Sequence, residues 1–367
     1  MSFSIDNRLT RLKSRRMDVM NDALKNRGYV ETFESRTVNK ATRYALGSMQ
    51  EVDHRSTEIS VEEAQKVEKA LADRLPKFGL QPYFRLQGSV PMNVHIRGVS
   101  DVDLLVIHGQ YLTYAVLGPS ANSYGSIGPS KSVVDEVLEM RKHSESELSA
   151  HFWGATVDKS NAKSIQLSEG GFRRKVDVVP SHWFDSIDYQ KFSNEIFRGV
   201  AVIDKFTREQ MNNFPFLFAH HISQKAESTS DGARMAIRLL KNVKSDMDED
   251  IALSSYDIAS LVFHCPDALI QHYIARDLSI LSGTQGWINR LCNDRTRSEA
   301  LMTPDGTRRI IDKAEKWNGL GVLSKNLTEL AREVDNEVAG PYLWGDRDLD
   351  DIRKHLNESQ IPLVPTY

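Results

Sequence analysis

Two carboxylate-bearing strand patterns constrain this chain more than any other feature. Asp101-Val102-Asp103 leads directly into the apolar stretch Leu104–Ile107, and Asp177 lies within the apolar stretch 176–179. Residues two apart on a strand point to the same side, so Asp101 and Asp103 share a face. A lone buried carboxylate is costly, and Asp177 therefore needs a partner. If the two strands are neighbours, three carboxylates converge at one surface as hard oxygen ligands that suit Mg²⁺.

A glycine-serine pair precedes these carboxylates. Gly88-Ser89 follows a predicted strand over Tyr83–Leu86, and eleven residues separate Ser89 from Asp101. A glycine lets the backbone pass close to a phosphate, and Ser89 can donate from both its hydroxyl and its N–H. A helix beginning at this turn would direct its positive end at the same anion. The pattern predicts a phosphate site beside the metal site.

Periodicity predicts that the first part of the chain contains the strands. A strand is expected at Asp103–Ile107 and another at Lys175–Val179, the latter closed by Pro180. Helices are expected over Val61–Leu75 and over Ser132–Leu148. The basic segment Asp6–Lys25 is interpreted as a helix with a solvated polar face rather than a nucleic-acid arm.

From about Ile203 the pattern becomes helical. One helix begins around Thr229–Gly232 and runs to Lys244, and Ser254 opens another with Asp257 in a capping-box position. Further helices are predicted at Ser298–Leu301, Arg308–Trp317 and Lys325–Glu337. We therefore expect a bilobed α/β (α+β) chain. Residues 1–202 would carry a small mixed sheet with helices, residues 203–345 would be an all-helical lobe, and residues 346–367 a C-terminal tail.

A basic stripe marks the helix that begins near residue 231. Arg234, Arg238 and Lys241 stand at positions i, i+4 and i+7, opposite an apolar side. Alone, such a stripe is usually a solvated face. Beside a metal site, phosphate binding is favoured for Lys241, while Arg234 and Arg238 suit structural ion pairs equally well. At the start of the next helix, Ser255 can bind a phosphate oxygen and Tyr256 can stack on a base.

Charge and composition exclude several classes of protein. Lys and Arg number 47 against 50 Asp and Glu, so the formal charge of −3 provides no overall basic excess for obligatory nucleic-acid binding. The two cysteines predict no disulfide framework, and neither a signal peptide nor a membrane-spanning stretch is recognised. We expect a cytoplasmic protein without a membrane partner. Two other Asp-x-Asp pairs, at 246–248 and 348–350, are interpreted as solvated acidic residues of loops.

The joint pattern resembles a known family. Gly88-Ser89, Asp101-Val102-Asp103 and Asp177 resemble the signature of polymerase-β-like nucleotidyltransferases. More narrowly, the chain resembles the CD-NTases, the bacterial cyclic-oligonucleotide synthases of anti-phage defence (CBASS), which are related to animal cyclic GMP-AMP synthase and oligoadenylate synthase. The stretches that carry this resemblance are Ser100–Leu104, Val176–Pro180, and Ile237–Lys241 followed by Ser255-Tyr256. They run in the family's order and cover most of residues 88–256.

The resemblance implies a set of metal ligands. Asp101 and Asp103 would hold two Mg²⁺ ions, for which Mn²⁺ is a substitute. Asp177 would hold the ion that activates the acceptor hydroxyl, and would act near it as base or proton acceptor. The acceptor hydroxyl would attack the α-phosphate of the donor and release pyrophosphate. A second transfer would close a cyclic di- or trinucleotide second messenger.

The resemblance also implies how nucleotides are held. Two nucleoside triphosphates, ATP among them, would bind between the lobes. Gly88 and Ser89 would hold the donor's β- and γ-phosphates, Lys241 and Ser255 would contact its triphosphate, and Tyr256 would stack on a base. Accessory or regulatory proteins are partners of some family members, and some members are conjugated through their C-terminus.

Two departures from the family pattern leave other functions open. The segment Val90–Val94 lacks the glycine-threonine pair that many relatives carry there, and the Cys/His zinc insertion of the animal DNA sensor is absent. A template-independent polymerase or linear oligoadenylate synthase would have the same metal site. A catalytically silent nucleotide-binding regulatory module is a further alternative, although the presence of all three aspartates argues against it.

Overall fold

The chain forms two compact units. A computed structural model describes residues 4–17, 32–96, 98, 100–125, 132–339 and 347–363. The sheet-containing unit comprises Asp53–Met92 and Ser100–His220, and the helical unit comprises the remaining residues. This division differs from the predicted lobes because the first 52 residues and residues 93–99 belong with the C-terminal helices. The C-terminal tail and the basic N-terminal helix lie partly outside the described residues.

The first unit is built on a mixed seven-stranded sheet. Its strands are β1 (Tyr83–Gln87), β2 (Val102–Tyr114), β3 (Thr156–Asp158), β4 (Ile165–Ser168), β5 (Val176–Asp185), β6 (Gly199–Ile203) and β7 (Gln210–Asn213). The order runs β1-β2-β5-β4-β3, with β6 paired to β5 and β7 to β6. The β2–β5 pair is parallel, whereas the other pairs are antiparallel. The expected small mixed sheet with helices is confirmed.

Thirteen α-helices lie in the described ranges. They are α1 (Ile5–Met17), α2 (Thr32–Arg36), α3 (Lys40–Met49), α4 (His54–Arg74), α5 (Val133–His151), α6 (Ile187–Phe192), α7 (Pro215–Ser228), α8 (Gly232–Asp246), α9 (Ser255–Phe263), α10 (Leu278–Asn293), α11 (Arg295–Ala300), α12 (Ala314–Ala339) and α13 (Leu349–Glu358). The described helices include none that is both long and apolar enough to cross a membrane.

Two helices cover one face of the sheet. Apolar residues of α4 and α5 pack against buried residues of β2, β4 and β5 in a single core. The even-numbered residues Leu104, Val106 and Val178 point into this core. Because side chains alternate along a strand, Asp103 and Asp177 point to the opposite face. The core thus fixes the strands that carry the candidate carboxylates.

Strand β5 extends beyond its predicted end. Pro180 was expected to close it, but the strand continues to Asp185 and Pro180 pairs with Val106 of β2. On its other side, β5 pairs with β4 as far as Val178 and with β6 from Ser181. The hydrogen-bond ladder on that side is therefore interrupted at Pro180, where the missing N–H is tolerated.

Some helix boundaries and polar faces also differ from prediction. Arg308–Trp317 is not one helix, since α12 begins only at Ala314 and then runs unbroken through the predicted segment 325–337. The face of α1 is not simply solvated, because Arg8 and Arg16 are buried and Arg15 pairs with Asp246. Asp246 itself is therefore not loop acid, but ends α8 in a buried position.

Candidate active site

The carboxylates lie side by side on the two central strands. Asp103 of β2 is in register with Asp177 of β5, and Val102 N donates to Lys175 O over 3.1 Å. Asp101 immediately precedes β2 and lies two residues from Asp103. All three aspartates are half-buried. The expectation that the two strands are neighbours is confirmed. The three carboxylates therefore lie together where β2 and β5 begin.

Gly88 is in direct contact with this group. It follows β1 in a left-handed conformation, with φ of 80°. A Cβ atom built on Gly88 would lie 2.2 Å from Asp103 Oδ2, so only glycine leaves the carboxylate in its present place. Gly88 and Ser89 belong to a turn that extends to Asn93, and no helix begins within that turn. A phosphate bound at this turn would therefore not be stabilised by the N-terminus of a helix that begins there.

Burial and repulsion from neighbouring carboxylates destabilise the charged forms of Asp101 and Asp177. Burial raises the pKa of Asp101, and the negative charge of Asp177 raises it further, against the effect of Lys175. Burial also raises the pKa of Asp177, while a hydrogen bond from Gln166 and the charge of Lys175 oppose the rise. These carboxylates therefore concentrate negative charge where solvent screens it poorly.

A divalent cation fits the chemistry of this donor set. Three aspartates supply hard anionic oxygens, which Mg²⁺ prefers, and added positive charge would relieve the repulsion between Asp101 and Asp177. Among the described residues, no three His, Cys, Asp or Glu side chains already stand as a group able to hold a metal ion. Ion binding would therefore require these side chains to adjust around the ion.

The predicted basic stripe lies in the helical unit, with Arg238 and Lys241 buried and Arg234 partly exposed. Arg238 donates to Met49 O over 2.8 Å, to Asn93 O over 2.7 Å and to Asp231 Oδ2 over 3.1 Å. Arg234 pairs with Asp231 at 2.8 Å. The structural role for these two arginines is thus confirmed. Lys241 is also buried, and its Nζ donates to Val94 O over 2.8 Å.

The start of α9 carries the last two predicted residues. Ser254 caps the helix in a capping box with Asp257, as predicted. Ser255 occupies the first helical position and is exposed. Tyr256 is half-buried, donates from its hydroxyl to Asp305 Oδ2 over 2.7 Å and lies with its ring under Arg308, 5.3 Å from the guanidinium carbon. Its hydroxyl and one ring face thus already have partners.

Two residues beside the carboxylates were missed in the sequence. Gln166 of β4 is in register with Asp177 and donates to it, and Lys175 lies two residues before Asp177 on β5. The alternation Ile165-Gln166-Leu167 was a signal for a strand with Gln166 on the polar face. Nothing in that short segment indicated which strand it would join.

Comparison with known proteins identifies the family. A family model, the C-terminal helical domain of cGAS/DncV-like nucleotidyltransferases, matches residues 220–331. The cyclic dinucleotide synthase CdnE of Yersinia aleksiciae is 41% identical over 315 residues, which are 84% of this chain and 81% of that protein. A structure of the STING-associated CdnE c-di-GMP synthase from Capnocytophaga granulosa is 23% identical, with a TM-score of 0.74 over 91% of this chain and 100% of that one. The Flavobacteriaceae sp. counterpart has a TM-score of 0.75 at 21% identity, over 92% of this chain and 100% of that one. The fold is thus that of these synthases, and the chain belongs to the CD-NTase family of nucleotidyltransferases.

Proposed function

We propose that this chain is a Mg²⁺-dependent synthase that joins two nucleoside triphosphates into a cyclic dinucleotide and releases pyrophosphate. The observation that carries the proposal is the registered pair Asp103–Asp177 with Asp101 beside it, on the sheet face opposite the core formed with α4 and α5. A dinucleotide is favoured over a trinucleotide because the Yersinia relative is named a cyclic dinucleotide synthase and two matched structures are c-di-GMP synthases.

Each carboxylate has a role in this proposal. Asp101 and Asp103 would hold two Mg²⁺ ions, or Mn²⁺ in their place, and Asp177 would hold one of them. When bound, such ions supply Lewis-acid stabilisation for the attacking and leaving oxygens of a phosphoryl transfer. Asp177 Oδ2 accepts no hydrogen bond from any described residue, and it is the oxygen we assign to accept the proton of the acceptor hydroxyl.

The phosphate contacts are proposed on separate grounds. The backbone at Gly88 carries no side chain that would block a phosphate, and the Ser89 hydroxyl is half-buried beside it. Ser255, exposed at the first position of α9, can donate to a phosphate, and the exposed part of the Tyr256 ring can contact a base. For Lys241 to contact a triphosphate, its ammonium must share or leave the Val94 carbonyl.

Product analysis tests the function directly. Purified protein is incubated with Mg²⁺ and each pair of the four nucleoside triphosphates, and pyrophosphate release is followed together with chromatography of phosphatase-treated products. We expect a phosphatase-resistant cyclic dinucleotide, and no product from Asp103→Asn or Asp177→Asn. Asp248→Asn is the matched control, because that aspartate is exposed and, among the described residues, its carboxylate pairs only with Arg11, at 2.9 Å.

The outcomes separate the levels of the proposal. A product that phosphatase degrades would retain nucleotidyl transfer but exclude cyclisation, as in a linear oligoadenylate synthase. Absence of pyrophosphate with every nucleotide pair would exclude the enzyme as proposed. We also propose that the product is a second messenger of anti-phage defence; loss of phage protection in cells carrying Asp103→Asn instead of the intact chain is the corresponding test.

A further inference from the structure

A row of polar side chains crosses five strands of the sheet at the candidate site. In spatial order the residues are Gln87 (β1), Asp103 (β2), Asp177 (β5), Gln166 (β4) and Asp158 (β3). Each is in register with its neighbours, so all five share the sheet face opposite the core formed with α4 and α5. We call this set the polar row. Besides Asp103 and Asp177, the polar row contains two glutamines and the carboxylate of Asp158.

One member of the polar row makes a direct bond to a proposed metal ligand. Gln166 Nε2 donates to Asp177 Oδ1 over 3.2 Å. The other carboxylate oxygen, Oδ2, receives no hydrogen bond within the described ranges. A neutral amide can therefore fix which oxygen of Asp177 is occupied and which remains available. Hydrogen bonds to a charged acceptor are stronger and more directional than neutral ones.

The backbone of Gln166 is held firmly enough to serve this purpose. Its neighbours Ile165 and Leu167 are fully buried in the core with α4 and α5. Strand β4 is also paired on both sides, with Asp158 of β3 and Asp177 of β5 opposite Gln166. Because the flanking side chains are locked on the other face, the amide group projects from a fixed point.

The other glutamine of the polar row behaves differently. Gln87 is in register with Asp103, yet its side chain makes no hydrogen bond to any described residue. Asp103 instead lies against Gly88, at the position described above. Register alone therefore does not produce the contact, and the bond from Gln166 is specific to Asp177.

We propose that Gln166 is a positioning residue of the reaction, which holds Asp177 Oδ1 so that Oδ2 is directed at the acceptor hydroxyl and its divalent ion. This inference rests on the proposed function, since it gives Asp177 the role stated there. Residues behind a metal ligand commonly fix its orientation, and their loss lowers metal affinity or activity by about ten- to a hundredfold. Gln166 would act through Asp177, without contact to the nucleotide.

The test uses two substitutions and a control in the full-length chain. Gln166→Met keeps the length of the side chain without its donor, and Gln166→Glu keeps its shape but replaces the donor by a charged acceptor. Gln210→Met is the matched control, because Gln210 is an exposed glutamine of edge strand β7 with side-chain bonds to Thr113 and Asn212. For each protein, kcat and the KM for nucleotide are measured, Mn²⁺ binding is titrated by electron paramagnetic resonance, and the thermal midpoint is recorded.

We expect both Gln166 variants to lower kcat or Mn²⁺ affinity by about ten- to a hundredfold, with KM and the thermal midpoint close to those of the unaltered chain. Gln210→Met should change none of these values appreciably. Unchanged kcat and Mn²⁺ affinity in either Gln166 variant would overturn the inference, as would a loss of kcat accompanied by equal loss of thermal stability and unaltered Mn²⁺ affinity. If the unaltered chain forms no product, the proposed function fails, and the Mn²⁺ titration alone decides the role of Gln166.

Discussion

A methyl group on Gly88 should displace Asp103 with little effect on the fold. The Cβ of Gly88→Ala would lie 2.2 Å from Asp103 Oδ2, whereas real contacts are essentially never closer than 3.0 Å, so the carboxylate must retreat by about 0.8 Å. The moving atom is the end of a side chain, so the energetic penalty of its shift is about 0.5–1.5 kcal/mol. The left-handed backbone at φ 80° adds about 1–2 kcal/mol for alanine.

Gly79→Ala separates the two effects. Gly79 also has a left-handed backbone, with φ of 76°, but a Cβ atom there meets nothing within 4 Å. It should therefore incur the same backbone penalty of about 1–2 kcal/mol without moving any carboxylate. Misplacing a reacting group by about 1 Å commonly lowers a rate about a hundredfold. We expect that loss for Gly88→Ala alone.

The assay compares pyrophosphate release at saturating nucleotide and Mg²⁺ with the free energy of unfolding in urea. Gly79→Ala should retain a rate within about threefold of the unaltered chain, because only its backbone is strained. Gly88→Ala should be about a hundredfold slower at a similar stability. If the two variants have similar rates, the contact between Gly88 and Asp103 does not set the geometry of the site, and the reasoning is refuted.

Three further predictions concern charge and burial. Asp177→Asn should lower pyrophosphate release by at least about a hundredfold, yet not lower the thermal midpoint of the metal-free chain, since it removes a charge that repels Asp101; a clear loss of stability would contradict this. Arg238→Met should lower the free energy of unfolding in urea by about 1–3 kcal/mol, because the backbone carbonyls of Met49 and Asn93 lose the donor of a buried side chain; a loss below about 0.5 kcal/mol would show that the arginine is dispensable. His182 is fully buried, and burial lowers the pKa of its imidazole to about 4. As the pH falls below about 6.5, the unfolded chain therefore gains a proton at His182 before the folded chain does. Stability should decrease by about 3 kcal/mol between pH 6.5 and 4 through this group, and urea unfolding of His182→Gln should lack that part of the decrease; equal pH dependence in both proteins would assign the decrease to other groups.

The sequence was sufficient to predict the parts of the site whose signals are local. Asp101 and Asp103 precede an apolar strand, and Asp177 lies within another, so each position could be inferred from a few neighbours. The start of a helix at Ser132 and the capping box at Ser254 were equally local signals, and both serines cap their helices. Which strands pair, however, is decided by packing across the sheet. Pairing of the two aspartate strands was therefore a hypothesis until the register was known.

The predictions that were wrong concern residues whose surroundings come from distant parts of the chain. Arg8, Arg16 and Asp246 are charged, and their sequence neighbours favour solvent exposure. They are buried because partners from far along the chain satisfy them, as Tyr44 does for Asp246 at 2.8 Å. Two separate helices were predicted where α12 runs unbroken, and Gly319 between them permits close packing, with its Cβ position 3.2 Å from Ile251.

The division of the chain into units has a consequence for its synthesis on the ribosome. The sheet-containing unit lies entirely within residues 53–220, so this part can begin to fold while later codons are still being read. Helices α1 and α3 cannot complete their packing at that stage, because Arg15 and Tyr44 contact Asp246 only after some two hundred further residues have emerged. Apolar side chains of these helices that are buried in the folded chain, such as Leu12 and Leu46, thus lack part of their packing until those later residues emerge. The segment that carries these helices therefore completes its packing after the strands that carry Asp103 and Asp177.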